Sequence, residues 1–319
     1  MSIVAGIDEA GYGPPLGPLV VSATVFRVSD EHRDADLWKL LSRTISGNPR
    51  ARRKLVVADS KESYTPAKGV GVLEETTLCF LALSAGRFDR MSALLSALGG
   101  EDARDAFNYP WYREQDVEIP LTGRALGLDI KSERLAGTLN HCGAKFLGVR
   151  CVPLFEAAFN QSVGETKNKQ EVLFDQAARL ISGIMKRYAD EDILITADKQ
   201  GGRDRYGPLL GRTFRGARLI VKHQDRNVGQ YHIRHQGIES EVRFVLNGEK
   251  HSMPVALASM YSKYVRECYM KLFNRFWHRH APTVKATAGY AKDARRFLKE
   301  IAPVKEELGI PDDVLVRCR

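Results

Sequence analysis

The chain has little cysteine, and what it has is scattered: Cys79, Cys142, Cys151, Cys268 and Cys318 form no CxxC pair. That spacing argues against a structural zinc site and a disulfide framework, and makes a reducing cytoplasm the expected setting. The N-terminus lacks the basic, apolar, small-residue order of a signal peptide. No apolar run is long enough to span a bilayer, so no membrane partner is expected. Low-complexity tracts, internal repeats and long linkers are also missing. Negative charge is in the minority: 39 Asp and Glu against 48 Lys and Arg leave a formal charge of +9. This favours a polyanionic partner, although a generally basic surface would give the same balance. Across the 319 residues, 44% are apolar, enough for a substantial core in one large domain or two modest ones.

The stretch around which the rest is organised lies at the start. Residues 3–7 (IVAGI) read as a strand, which ends in the adjacent carboxylates Asp8 and Glu9 and passes into the glycine- and proline-rich run Gly11-Tyr12-Gly13-Pro14-Pro15-Leu16-Gly17-Pro18. Carboxylates at a strand end suit a metal site, with glycines that let backbone or substrate approach closely. The same pattern fits an exposed hairpin whose acids only cap the turn.

Residues 19–28 read as a second strand and 54–58 as a short apolar run leading to Asp59-Ser60-Lys61. A helical stretch is predicted over 71–98, stopped by Gly99-Gly100. Residues 101–128 carry Tyr109-Pro110-Trp111-Tyr112 and Pro120, and read as an excursion from the main layer. Its aromatics either stack on bases or pack against the body. A strand is predicted over 144–153, a helix over 171–188 and a strand over 192–197 that ends at Asp198, the usual α/β arrangement for a site.

Beyond Asp198, Arg203, Arg205 and further arginines are interleaved with glycines and Tyr206, a mixture suited to phosphate contact. Late strands are expected over 217–221 and 228–233. A helix over 253–276 follows, carrying Glu267, which by spacing alone is an ordinary surface residue. A second helix over 291–301 is closed by Pro303.

Four separated acids near glycine and arginine permit a specific reaction. Phosphodiester hydrolysis needs an activated water and charge neutralisation at phosphorus, which two hard cations about 4 Å apart can provide when carboxylates hold them. Asp8, Glu9, Asp198 and Glu267 would supply such a cluster if the late helix crosses beside the two strand ends. The competing arrangement pairs the acids with arginines, without chemistry.

Asp8-Glu9-Ala10-Gly11-Tyr12-Gly13-Pro14, followed by Gly17-Pro18 and a strand, resembles the opening signature of the type 2 ribonucleases H, the family of ribonucleases HII and HIII. Further landmarks follow in family order: Asp59-Ser60-Lys61, Asp198 after a strand, Ala258-Ser259-Met260-Tyr261-Ser262-Lys263 with Arg266-Glu267, and Gly289-Tyr290. The resemblance implies an α/β fold, a ribonuclease H-like mixed sheet flanked by helices, with a core over 1–250 and a helical C-terminal portion over 251–319. It implies Mg2+- or Mn2+-dependent cleavage, with two ions, of the RNA strand of RNA–DNA hybrids or RNA-containing duplexes, leaving 3′-hydroxyl and 5′-phosphate ends. No obligate protein partner is inferred. Asp8, Glu9, Asp198 and Glu267 would hold the metals, Gly11, Tyr12 and Gly13 would approach the sugar-phosphate backbone in the minor groove, and Ser60 and Lys61 would hold phosphate. Tyr290 would stack on a sugar or anchor its own helix.

The chain departs from the pattern of ribonuclease HII at Tyr12, where arginine is usual, and at Glu267, where aspartate is usual. Loss of a fixed guanidinium donor removes a charge that tyrosine does not replace. Two other readings stay open: a two-metal nuclease for branched or structured nucleic acid, and a relative that binds nucleic acid without turnover.

Overall fold

A computed structural model describes residues 1–65, 69–113, 116–123 and 127–318 of the protein. Its centre is a seven-stranded sheet. We number its strands β1 (Ser2–Ala10), β2 (Leu19–Val28), β3 (Lys145–Leu154), β4 (Asp192–Asp198), β5 (Arg218–Gln224), β6 (Val228–His235) and β7 (Ile238–Val245). Their order in space is β3-β2-β1-β4-β7-β6-β5. Strands β1 to β3 pair antiparallel, β4 joins β1 and β7 joins β4 in parallel, and β5, β6 and β7 form an antiparallel meander. This is the mixed sheet flanked by helices that the resemblance implies.

Strand β1 shows how the two layers form. Alternate side chains leave opposite faces of a strand. Ile3, Ala5 and Ile7 join a core with the helix Lys169–Arg187, while Val4 belongs to a second core containing the helix Met253–His280. Gly6 lies on that second face, and a Cβ there would sit 2.1 Å from the carbonyl carbon of Pro254. Only glycine lets the start of the long helix rest directly on the sheet. Thr24, opposite Gly6 in the β1–β2 register, fixes the crossing by donating to the Pro254 carbonyl at 2.8 Å.

Every residue of the long helix from Met253 to Arg266 is buried. A helix covered on all sides belongs at the centre of a fold rather than on its surface. On its far side Tyr261 donates to the Thr77 carbonyl at 2.7 Å, joining the helix to the layer that contains Gly71–Ser84. No helix among the described residues is long and apolar enough to cross a membrane.

Two expectations need correction. The helical stretch over 71–98 is two helices, Gly71–Ser84 and Met91–Gly99, separated at Gly86 with φ of +83°. The last long helix runs over Ala291–Glu307, straight through Pro303. Proline removes one backbone donor there, and the carbonyl one turn earlier belongs to the exposed Lys299, where solvent can take the place of the lost bond. Strand β7 was not anticipated. Its apolar Val242 and Phe244 alternate with Glu241 and Arg243, which join a surface ionic network with Arg33 and Asp34.

Residues 114–115 and 124–126 of the excursion lie outside the described residues. Its described aromatics are internal: Trp111 is fully buried and stacks on Trp277 with ring centres 6.5 Å apart, and Tyr112 packs against Phe155 and Tyr269. They fill the core and are closed to bases.

Candidate active site

The β1–β4 register pairs Ile7 with Ala197, so Asp8 and Asp198 follow side by side at the carboxyl ends of two parallel strands. Neighbouring strands place their backbones about 5 Å apart, and the matched register puts both side chains on the face that meets the long helix. Ser262 of that helix donates to the Asp8 carbonyl at 3.0 Å, and Ser259 one turn earlier donates to the Ser60 hydroxyl at 3.0 Å. Asp198 Oδ1 accepts the Gly248 backbone N–H at 2.7 Å. Glu9 starts from the opposite face of β1 and reaches the same space because the β1–β4 ladder stops at Ile7.

Asp8, Glu9 and Asp198 line a cavity of about 530 Å³ together with Gly11, Tyr12, Gly13, Ser60, Lys61, Glu267 and Tyr290. Arg203 and Arg205 are not part of its lining. Arg203 nevertheless acts electrostatically on Tyr12, whose phenol is raised by burial and by Glu9.

The carboxylates oppose one another. Burial raises the Asp8 carboxyl well above its ordinary value, and Glu9 and Asp198 add to the shift. Burial and then Asp198 raise Glu9 to about 7, against the partial relief of Lys61. Asp198 is raised to about 6, first by burial and then by Glu249, while the Gly248 N–H works the other way. Desolvation disfavours the Lys61 ammonium, but Asp59, Glu249, Asp8 and Asp198 outweigh it and raise its pKa. One lysine thus faces more negative charge than it can neutralise.

Glu249 is a site residue that the sequence reading missed. It lies on the short turn Gly248–Lys250 just after β7, lines the cavity, and its buried Oε2 has no hydrogen-bond partner. A carboxylate oxygen buried without a partner invites a cation or water.

Glu267 stands on another wall of the cavity in a different setting. It accepts from Lys263 Nζ at 2.7 Å and from the Tyr64 hydroxyl at 2.8 Å. Its nearest charges are therefore cations rather than the other acids. Tyr290 is half exposed, with Lys263 at 5.9 Å and Arg266 at 5.6 Å from its ring centre.

Two buried arginines, neither foreseen as a site residue, brace the glycine-rich loop. Arg266 Nη2 donates to the carbonyls of Leu16 at 3.1 Å and Ala288 at 3.2 Å. Arg317 Nη2 donates to the carbonyls of Gly11 and Pro14, and the Arg317 backbone N–H bonds to the Pro15 carbonyl at 2.8 Å. Gly11 has φ of +88°, and a Cβ there would lie 2.7 Å from the Arg266 side chain. Gly13, in contrast, has nothing within 4 Å of its Cβ position, so its backbone is open to a ligand.

Among the described residues, no three His, Cys, Asp or Glu side chains form a ready metal cage. The donor set still fits a hard dication of the magnesium type, which binds through one or two carboxylates and completes its shell with water and substrate oxygens. Mutually repelling carboxylates are the feature that such an ion relieves.

No protein-family profile and no curated protein sequence matches the chain. Solved structures do. Ribonuclease HII from Archaeoglobus fulgidus, determined in a complex with PCNA, aligns over 99% of this chain and 94% of its own at 17% identity, with a TM-score of 0.45. Bst-RNase HIII in complex with Mn2+ aligns over 99% of this chain and 66% of its own at 13% identity, with a TM-score of 0.42. Ribonuclease H2 from Pyrococcus horikoshii OT3 aligns over 98% and 92% at 13% identity, with a TM-score of 0.39. The chain resembles the type 2 ribonucleases H.

Proposed function

We propose that the protein is a Mg2+- or Mn2+-dependent endonuclease that hydrolyses the RNA strand of RNA–DNA hybrids or RNA-containing duplexes and leaves 3′-hydroxyl and 5′-phosphate ends. The observation that carries this reading is the meeting of Asp8, Glu9 and Asp198 at adjacent strand ends, in a cavity bordered by an arginine-braced glycine loop. A site meant only to bind a polyanion gains nothing from concentrated negative charge.

Asp8, Glu9 and Asp198 would hold the cations, with Glu267 or Glu249 completing the shell. When bound, the cations supply charge neutralisation at the phosphate and a more acidic water. Lys61 and Ser60 bind the phosphate, the open backbone of Gly13 admits the sugar-phosphate strand, and Tyr290 offers a face to the sugar. Arg203 and Arg205, outside the cavity lining, would take phosphates farther along the strand. The five cysteines, all free, suit the reducing cytoplasm in which such an enzyme would work.

The test is a cleavage panel of hybrid, embedded-ribonucleotide duplex, RNA, DNA and branched junction, each with Mg2+ or Mn2+, and with Asp8→Asn as control. Metal-dependent cutting of the RNA strand by the parent alone supports the reading, and equal cutting by both proteins refutes the assigned site. The engagement of Glu267 by Lys263 and Tyr64 favours a second reading, a binding relative without turnover. Duplex binding with no cleavage under any metal would select it.

A further inference from the structure

The outermost strand, β5, is exposed along nearly its whole length, and its register with β6 sets Arg218 directly opposite Arg234. Like charges placed directly across a sheet are destabilising. Arg234 finds Glu239 at 3.4 Å, whereas Arg218 has no carboxylate partner among the described residues. Lys222, at the bulge between Val221 and His223, and Arg226, in the turn to β6, are also exposed and without a carboxylate partner there. On neighbouring elements Arg212 is bound by Glu171 and Asp175, and Arg243 by Asp34 and Glu241.

The hairpin is also tied to the carboxylates. Strand β6 begins at Val228 opposite Val245, and Val245 lies opposite Asp198, so the β5–β6 turn is at the cavity end of the sheet. Lys199, the residue after Asp198, is buried and donates from Nζ to the carbonyls of Asp225 and Arg226, both at 2.9 Å. The Asp225 carboxylate in turn accepts the N–H groups of Asn227 and Val228, each at 2.7 Å. The turn is therefore fixed relative to the end of β4. From Arg226 back to Arg218 is eight residues, about 27 Å of extended chain at about 3.4 Å per residue.

We infer that the β5–β6 hairpin is a phosphate-binding ribbon for the arm of a nucleic-acid duplex that leaves the carboxylate cavity, with Arg226 nearest the site and Lys222 and Arg218 successively farther out. This inference rests on the nuclease reading for the direction in which the duplex runs. The ribbon's length spans about eight base steps of duplex axis at about 3.4 Å per step, room for each of the three cations to meet a separate phosphate. A second copy of the chain pairing along β5 is disfavoured, because it would bring two sets of uncompensated cations together, and lysine on an edge strand blocks such pairing.

The test uses the full chain carrying Asp8→Asn to prevent turnover, with and without Arg218→Gln, Lys222→Gln and Arg226→Gln. Its binding to a fluorescent RNA–DNA hybrid that spans the hairpin is measured between about 50 and 200 mM salt. Each lost phosphate contact lowers the slope of log affinity against log salt by about 0.9, so the triple variant is expected to lose about 2 to 3 and the single Arg226→Gln about 1. Unchanged slopes in both variants, with the parent binding normally, overturn the ribbon and leave the nuclease reading standing. A parent that binds no duplex overturns both. A parent dimer that the triple substitution converts to monomer assigns the edge to a second copy and also overturns the ribbon. The single variant keeps the result readable if the triple one fails to fold.

Discussion

Replacing Asp8 by asparagine is expected to stabilise the metal-free protein while removing its response to Mg2+. Asp8 and Asp198 occupy neighbouring positions at the ends of β1 and β4, and Asp8 is 7% exposed. Two unit charges about 5 Å apart at an effective dielectric constant of about 20 repel by about 3 kcal/mol. Partial protonation and Lys61 reduce this to about 2 kcal/mol near pH 8, or about 4 °C in melting temperature for a chain of this size. The pH dependence follows from the raised values of Glu9, from 4.5 to about 7, and Asp198, from 3.8 to about 6. Because the folded state holds these protons after the unfolded chain has released them, the contribution of both groups to stability falls as pH rises from about 4 to about 7. The gain from Asp8→Asn is therefore largest at pH 8 and shrinks at pH 5, where its neighbours are protonated. Thermal unfolding in chelator at both pH values, then with Mg2+, is the assay. Mg2+ stabilises the parent by preferential binding to the folded state and leaves the variant unmoved. A variant less stable than the parent at pH 8 without metal, or a shift equal at both pH values, would refute the reasoning.

Gly6→Ala is expected to destabilise the protein by about 3 kcal/mol or more, because the new methyl meets the backbone of Pro254 and either the long helix or β1 must move; urea denaturation measures it, and wild-type stability would disprove the close crossing. Arg317→Met removes a buried guanidinium held beside Glu156 and leaves the carbonyls of Gly11 and Pro14 without their donor. A loss of about 3 kcal/mol is expected, with partial recovery in Arg317→Lys; a Met variant as stable as the parent would show that the loop does not depend on this clamp.

Much of the candidate site was readable because its signals are local. The apolar run before Asp8 and Glu9, the glycines after them and the strand before Asp198 each announce themselves within ten residues. Glu267 was readable only through its resemblance to a family motif, since a glutamate on a helix looks like any solvated one. Strand β7 was hidden by Glu241 and Arg243, which pair with each other and with Arg33 and Asp34, more than two hundred residues earlier. With β7 missed, the turn that carries Glu249 had no place in the fold. Arg266 and Arg317 were invisible as loop braces for the same reason: the carbonyls of Leu16, Gly11 and Pro14 that they hold lie near the opposite end of the chain, and no side-chain pattern encodes those.

The most direct measurement is a crystal structure of the protein with Mn2+ and a non-cleavable RNA–DNA hybrid, read by anomalous scattering. Manganese bound by Asp8 with Glu9 and Asp198, and the RNA phosphate over Lys61 and the Gly11–Gly13 backbone, is the expected result. Manganese bound elsewhere, with these three carboxylates still facing only Lys61 and one another, would contradict it.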